Sequence, residues 1–202
     1  MQKLVVEQAC DVGIAFDGDA DRVLMVDQHG ELVDGDQLLF VIANSLHRQG
    51  RLKGGVVGTV MSNFGMEKAF KEREIPFVRA KVGDRYVMQE LKQRDWSLGG
   101  ESSGHIICLD KTTTGDGLVS ALQVLTQIQF MAQPLHELAS KMDMYPQTMI
   151  NVRLPSNTNA ASICELDAVS TAIAKVETKL ADTGRVLLRP SCLLYTSDAA
   201  DE

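Results

Sequence analysis

The apolar positions of this chain fall into short runs cut by polar turns, and into longer stretches of helical period. Val12-Gly-Ile-Ala-Phe16 and Val23-Leu-Met-Val26 are compact runs bounded by acidic residues, which predicts two buried strands joined by Asp17 to Arg22. A short amphipathic piece, Leu4 to Gln8, precedes them. Leu38, Leu39, Val41, Ile42 and Leu46 recur on one face and predict a helix over 36–47. An alternation follows: strand 55–60, helix 65–74, strand 77–80, helix 85–94, strand 96–99, strand 106–109 and a long helix over 117–132. Strands alternating with helices predict an α/β fold, a mixed, mainly parallel sheet layered with helices. Pro134 opens a short helix ending near Met142, and Tyr145-Pro146 marks a boundary.

Past that boundary the rhythm changes. Strand 148–154, a Pro/Ser/Asn-rich loop, helix 166–181 and strand 185–188 predict the start of a smaller α+β domain. The tail Cys192 to Glu202 has no periodicity, resembles a translated sequencing adapter and is read as an assembly scar. Both ends are abrupt, so both are expected to be cuts.

Composition narrows the function classes. The chain has 202 residues, 45% hydrophobic and 23% charged, enough for one or two domains with real cores. Its 20 basic and 27 acidic residues give a net charge of -7, which speaks against nucleic acid or a membrane surface as the main partner. Cys10, Cys108, Cys164 and Cys192 are too scattered for a metal or redox pair and too few for a disulfide scaffold. A cytoplasmic location is therefore expected. No run approaches the ~20 apolar residues of a membrane helix.

The strongest local signal is Asp17-Gly-Asp-Ala-Asp-Arg22. Carboxylates at every second position of a tight turn can aim three oxygens at one centre, and hard divalent cations such as Mg²⁺ take oxygen ligands. An EF-hand is excluded, because its loop needs Gly at the sixth position and Glu at the twelfth, where this chain has Arg22 and Gln28. A solvated acidic turn is the plainer alternative, but three clustered carboxylates without a cation repel one another. The second signal, Gly99-Gly-Glu-Ser-Ser-Gly-His105, offers an acceptor, two hydroxyls and an imidazole, a set suited to a polyhydroxy ligand or simply to a loop. Third, Lys81-Val-Gly-Asp-Arg-Tyr86 brings two cations and free N–H groups to a helix start; an anion site and a plain cap at Asp84 are both open. Asp116, in Asp110-Lys-Thr-Thr-Thr-Gly-Asp-Gly117, reads as a cap of the long helix. His29, His47 and His136 read as surface residues.

The order of these motifs, closed by Arg189-Pro-Ser191, resembles the α-D-phosphohexomutase superfamily over residues 1 to 191. The details of Val82-Gly-Asp-Arg-Tyr86 and Asp110 to Gly117 are most similar to its glucosamine-phosphate branch. The resemblance implies four domains around one cleft, of which residues 1–32 would end the metal-loop domain, 33–143 form the sugar-binding α/β domain and 144–191 begin the phosphate-binding domain. It implies Mg²⁺ on Asp17, Asp19 and Asp21, with Arg22 beside the phosphoryl group. Glu101, Ser103 and His105 would read the sugar, Lys81, Asp84 and Arg85 would stand near the reacting phosphate, and Arg189 and Ser191 would hold the other phosphate.

The implied reaction interconverts glucosamine 6-phosphate and glucosamine 1-phosphate through glucosamine 1,6-bisphosphate, supporting UDP-N-acetylglucosamine and cell-wall precursor synthesis. The implied partner is a phosphorylated amino sugar, with a homodimer left open for the full-length enzyme. The family's catalytic phosphoserine has no counterpart here, and Ser191 runs into Cys192 where the family continues Gly-Thr-Glu-Pro. The chain by itself is therefore expected to be inactive. A phosphomannomutase or phosphoglucomutase, and a non-catalytic Ca²⁺-binding or interaction module, are the alternatives.

Overall fold

The structure is a computed structural model that describes residues 1–155 and 158–190, in two compact units divided after Tyr145. In the first unit, helix α1 (Gln2–Glu7) leads into β1 (Val12–Phe16), which pairs antiparallel with β2 (Val23–Asp27) in the register Val12↔Asp27 to Phe16↔Val23. A two-residue strand β3 (Leu32–Val33) extends this sheet on the far side of β2. The pairing places Asp17 to Arg22 at one end of the hairpin.

Helix α2 (Gly35–Arg48) starts at a capping box: the Asp34 carboxylate accepts from the Gln37 N–H at 3.0 Å, and the Gln37 side chain accepts from the Asp34 N–H at 3.3 Å. The expected one-sided apolar face proves too narrow. Every residue from Leu38 to Ser45 is buried, as for a helix covered all round, and α2 touches β2, the second sheet, and three other helices.

The second sheet has the order β5-β4-β6-β7. Its strands are β4 (Val56–Thr59), β5 (Phe77–Ala80), β6 (Leu98–Gly100) and β7 (Ile106–Cys108); β4 runs parallel to β5 and β6, and β7 is antiparallel to β6. Helices α3 (Phe64–Glu72) and α4 (Asp84–Arg94) connect the parallel strands, and α5 (Gly117–Met131) and α6 (Leu135–Ala139) follow β7. Adjacent strand residues serve opposite cores. Val56, Leu98 and Ile106 pack with Leu39, Phe70 and Val124 on one face, whereas Val57 and Ile107 pack with Val87 and Leu91 of α4 on the other. A parallel sheet covered on both faces explains why β4 is apolar without alternation. In such sheets ligands gather beyond the carboxyl ends of the strands, the edge from which Lys81 and Glu101 emerge.

In the second unit, α7 (Ala160–Cys164) is capped by Asn159 and α8 (Asp167–Leu180) fills the expected helical stretch. The strands expected at 148–154 and 185–188 do not form. An apolar run is a strand only where a second run supplies its ladder, and no described residue here pairs with either. Met149, Ile150 and Val152 accordingly stand exposed. Residues 192–202, read as a scar, lie outside the described residues, as does Ser191.

Candidate metal and sugar loops

The β1–β2 hairpin end gathers the three acidic side chains. One oxygen from each of Asp17, Asp19 and Asp21 lies within 4.8 Å of the other two, and Asp17 and Asp19 are exposed. Ala20 lies in the left-handed region at φ +59°, which curls the loop and lets its N–H reach the Asp17 carbonyl at 3.2 Å. At such separations each pair of carboxylates repels by roughly 1 kcal/mol even in water. Arg22 offsets part of this: its N–H donates to Asp17 Oδ1 at 3.2 Å, and its Nε stands 3.7 Å from both Asp17 Oδ2 and Asp21 Oδ1. Asp21 Oδ1 is nevertheless buried with no hydrogen bond. Three hard oxygen donors, on carboxylates of which one also carries an orphaned buried oxygen, fit a divalent cation such as Mg²⁺.

The Glu101–His105 loop lies directly against this hairpin end. Val23 N–H donates to the Gly104 carbonyl at 3.1 Å, and His105 Nδ1 is 3.1 Å from Asp21 Oδ2. Gly104, at φ +93°, passes so close that a Cβ there would stand 2.1 Å from the Val23 carbonyl oxygen. Two further backbone bonds complete the junction: Gly35 N–H to the Ser102 carbonyl at 3.0 Å, and Gly117 N–H to the Ala20 carbonyl at 2.9 Å. Asp116 caps α5 as expected, accepting from Val119 N–H at 2.9 Å.

Glu101 reaches the third motif, its Oε1 accepting from the Gly83 N–H at 2.8 Å. Around that point Arg85 stacks over the Tyr86 ring at 4.5 Å and Lys81 Nζ stands 5.8 Å from the same ring. Asp84 does not cap α4. The N-cap is Gly83, and Asp84 instead accepts from the Arg85 N–H as the first helical residue. Ser103 is exposed at the loop tip.

The structure thus brings Asp17, Asp19, Asp21 and Arg22 together with Glu101, Ser103 and His105, and ties Lys81, Asp84 and Arg85 to them through Glu101. Arg189 is exposed in the second unit. Sequence reasoning missed Gly35, Gly104 and Gly117 as places where loops touch, and gave Tyr86 no role; the only signal was glycine beside each motif. His136 is not the partnerless surface residue expected, since its Nδ1 lies 2.8 Å from the buried Asp27 carboxylate. Cys108 is no candidate nucleophile, because burial pushes its thiol up to about 12. No helix among the described residues is long and apolar enough to cross a membrane.

Residues 34–145, more than half of the chain, match the family model described as phosphoglucomutase/phosphomannomutase, alpha/beta/alpha domain III. A phosphoglucosamine mutase of Alcanivorax borkumensis is 57% identical over 191 residues, covering 95% of this chain and 42% of that protein. The chain spans 42% of the length of the first curated relatives it matches. Among solved structures, an N-acetylglucosamine-phosphate mutase in its substrate complex aligns with TM-score 0.73 and 20% identity over 90% of this chain and 43% of its own. The Aspergillus fumigatus N-acetylphosphoglucosamine mutase in complex with GlcNAc-6P and magnesium aligns with TM-score 0.57 and 21% identity over 67% and 36%. At those identities the structural likeness shows the fold. From the family match, the chain belongs to the phosphoglucomutase/phosphomannomutase family and contains its α/β/α domain III.

Proposed function

We propose that this chain supplies the metal loop and the sugar loop of a phosphoglucosamine mutase, a cytoplasmic isomerase that interconverts glucosamine 6-phosphate and glucosamine 1-phosphate through the 1,6-bisphosphate. The observation that carries the reading is the meeting of two loops: the convergent oxygens of Asp17, Asp19 and Asp21 stand against the Glu101–His105 turn. Identity above one half to relatives of that name supports the amino-sugar substrate over glucose or mannose phosphates.

On this reading Asp17, Asp19 and Asp21 hold Mg²⁺, which when bound supplies positive charge against the oxygens of the transferring phosphoryl group. Arg22, already beside two of these carboxylates, adds a second positive charge at the same place. Glu101 accepts from sugar hydroxyls while one of its oxygens stays on the Gly83 N–H, so it is oriented before the sugar arrives. Ser103 offers its exposed hydroxyl beside it. Lys81 and Arg85, gathered on one ring, face the reacting phosphate with Asp84 next to them. Arg189 and Ser191 take the distal phosphate.

A chimera tests this directly. Replacing the 191 matched residues of the Alcanivorax borkumensis protein with those of this chain is expected to preserve glucosamine 6-phosphate turnover. Asp19→Ala in that chimera should lower kcat by about 100-fold or more. A folded chimera that prefers glucose or mannose phosphates overturns the substrate assignment, and activity indifferent to Asp19→Ala overturns the metal loop.

A further inference from the structure

We propose that His105 is a positioning residue for the metal loop: its imidazole fixes the Asp21 carboxylate, so that the turn reading the sugar also sets the readiness of the cation site. The proposal rests on the metal reading of Asp17, Asp19 and Asp21 and adds a function that their spacing does not imply.

A carboxylate can only accept, so in the 3.1 Å contact it is His105 Nδ1 that donates to Asp21 Oδ2. The contact joins residues 84 positions apart, and its histidine partner is nearly enclosed, with 7% of the side chain exposed. The ring has little freedom to turn elsewhere. Its Nε2 is buried without a hydrogen bond and lies over Gly115, where even a Cβ would come within 2.2 Å of that nitrogen. The backbone beneath is pinned as well, by the Val23–Gly104 hydrogen bond and by the tight approach of Gly104.

The effect on Asp21 is asymmetric. Oδ2 is taken by the imidazole, while Oδ1 is buried and without a hydrogen bond. A carboxylate with one oxygen anchored and the other free of hydrogen bonds, with only the Arg22 Nε 3.7 Å away, is oriented as a single-oxygen ligand, and its rotamer freedom is lost before any ion arrives. Partners that hydrogen-bond a ligating carboxylate commonly set metal affinity in this way.

The test uses the 202-residue chain and Mn²⁺ as a spectroscopic probe, its affinity read by electron paramagnetic resonance and its fold by circular dichroism. His105→Phe keeps the ring volume and removes the donor, and is expected to weaken Mn²⁺ binding by about 10- to 100-fold. His105→Asn places an amide N–H close to where Nδ1 stood and is expected to recover most of that loss. Equal affinity in the two variants, whether high or low, overturns the proposal, because a space-filling ring would not favour Asn over Phe. Should His105→Phe fail to fold, Gly115→Ala decides: it pushes the ring off Asp21 and is expected to weaken Mn²⁺ binding, and unchanged binding overturns the proposal. Asp19→Ala separates the two levels. If it leaves Mn²⁺ binding intact, the metal reading itself fails; if it abolishes binding while the His105 and Gly115 variants bind normally, only the role of His105 fails.

Discussion

Two acidic turns close the two ends of β2, and each contains an aspartate paired with a distant histidine, yet they are put to opposite uses. In the β2–β3 turn the Asp27 carboxylate is fully engaged: it accepts from His29 N–H at 2.9 Å, Glu31 N–H at 3.0 Å and His136 at 2.8 Å. Burial acts to raise its pKa, but these bonds and the nearby imidazole outweigh it and hold the carboxyl below its ordinary value of 3.8. In the β1–β2 turn the acidic groups stay largely open, with Asp17 and Asp19 exposed and Asp21 Oδ1 without a hydrogen bond. One turn commits its carboxylate to structure, whereas the other leaves oxygens open, as the proposed cation site requires. Counting which lone pairs are already taken separates a structural Asp from a binding one better than the presence of an Asp/Gly cluster does.

The comparison can be broken most severely at the point where the β1–β2 turn meets its neighbour. Gly104→Ala sets a methyl against the Val23 carbonyl in a backbone region that L residues avoid, and is expected to cost more than ~3 kcal/mol in chemical denaturation and to remove Mn²⁺ binding with it. Asp27→Ala strands two N–H groups of the other turn; a loss of about 2–4 kcal/mol is expected, with Mn²⁺ affinity unchanged in whatever fraction stays folded. Asp19→Ala should show the reverse signature: a loss of cation affinity of about tenfold or more, or ~1.4 kcal/mol, with thermal stability held or slightly raised as repulsion falls.

A third carboxylate sharpens the contrast through pH. Asp36, buried in the first turn of α2, has its pKa raised to about 6 by burial and by the neighbouring Asp34, against the lowering effect of its bond from the Asn63 N–H. Its folded value lies above the unfolded 3.8, so between those limits the folded chain holds more protons, and Asp36 makes stability rise as pH falls from above 6 towards 4. Asp27 works the other way. Its folded value is depressed, so its contribution is present above 3.8 and is lost as pH falls through the lower folded value. Denaturation midpoints of Asp36→Asn measured between pH 4 and 7 should lack the rise on acidification that the parent chain shows, the smallest of these effects.

Much of the first unit was legible because its elements find partners inside the same stretch of chain. Val12–Phe16 and Phe77–Ala80 form strands at the boundaries their apolar runs suggest, and each has a neighbouring run to pair with. The runs at 148–154 and 185–188 carry equally apolar residues without a ladder, and periodicity records only the wish to be buried. The convergence of Asp17, Asp19 and Asp21 was readable from three local carboxylates, since the geometry of their turn is set within six residues. The bond from His105 to Asp21 was not, because it spans a tertiary contact; within its own motif the imidazole reads only as one member of a polar set suited to a polyhydroxy ligand. Asp84 illustrates a finer limit, where a residue suited to capping is displaced by one position in favour of Gly83.

The Asp17–Arg22 and Glu101–His105 loops and the starts of α2 and α5 are clipped together chiefly by main-chain atoms, at Gly35–Ser102, Val23–Gly104 and Gly117–Ala20. Peptide groups are the same whatever residue bears them. An exposed side chain such as Ser103 can thus be exchanged without undoing the contacts that hold the scaffold beneath it.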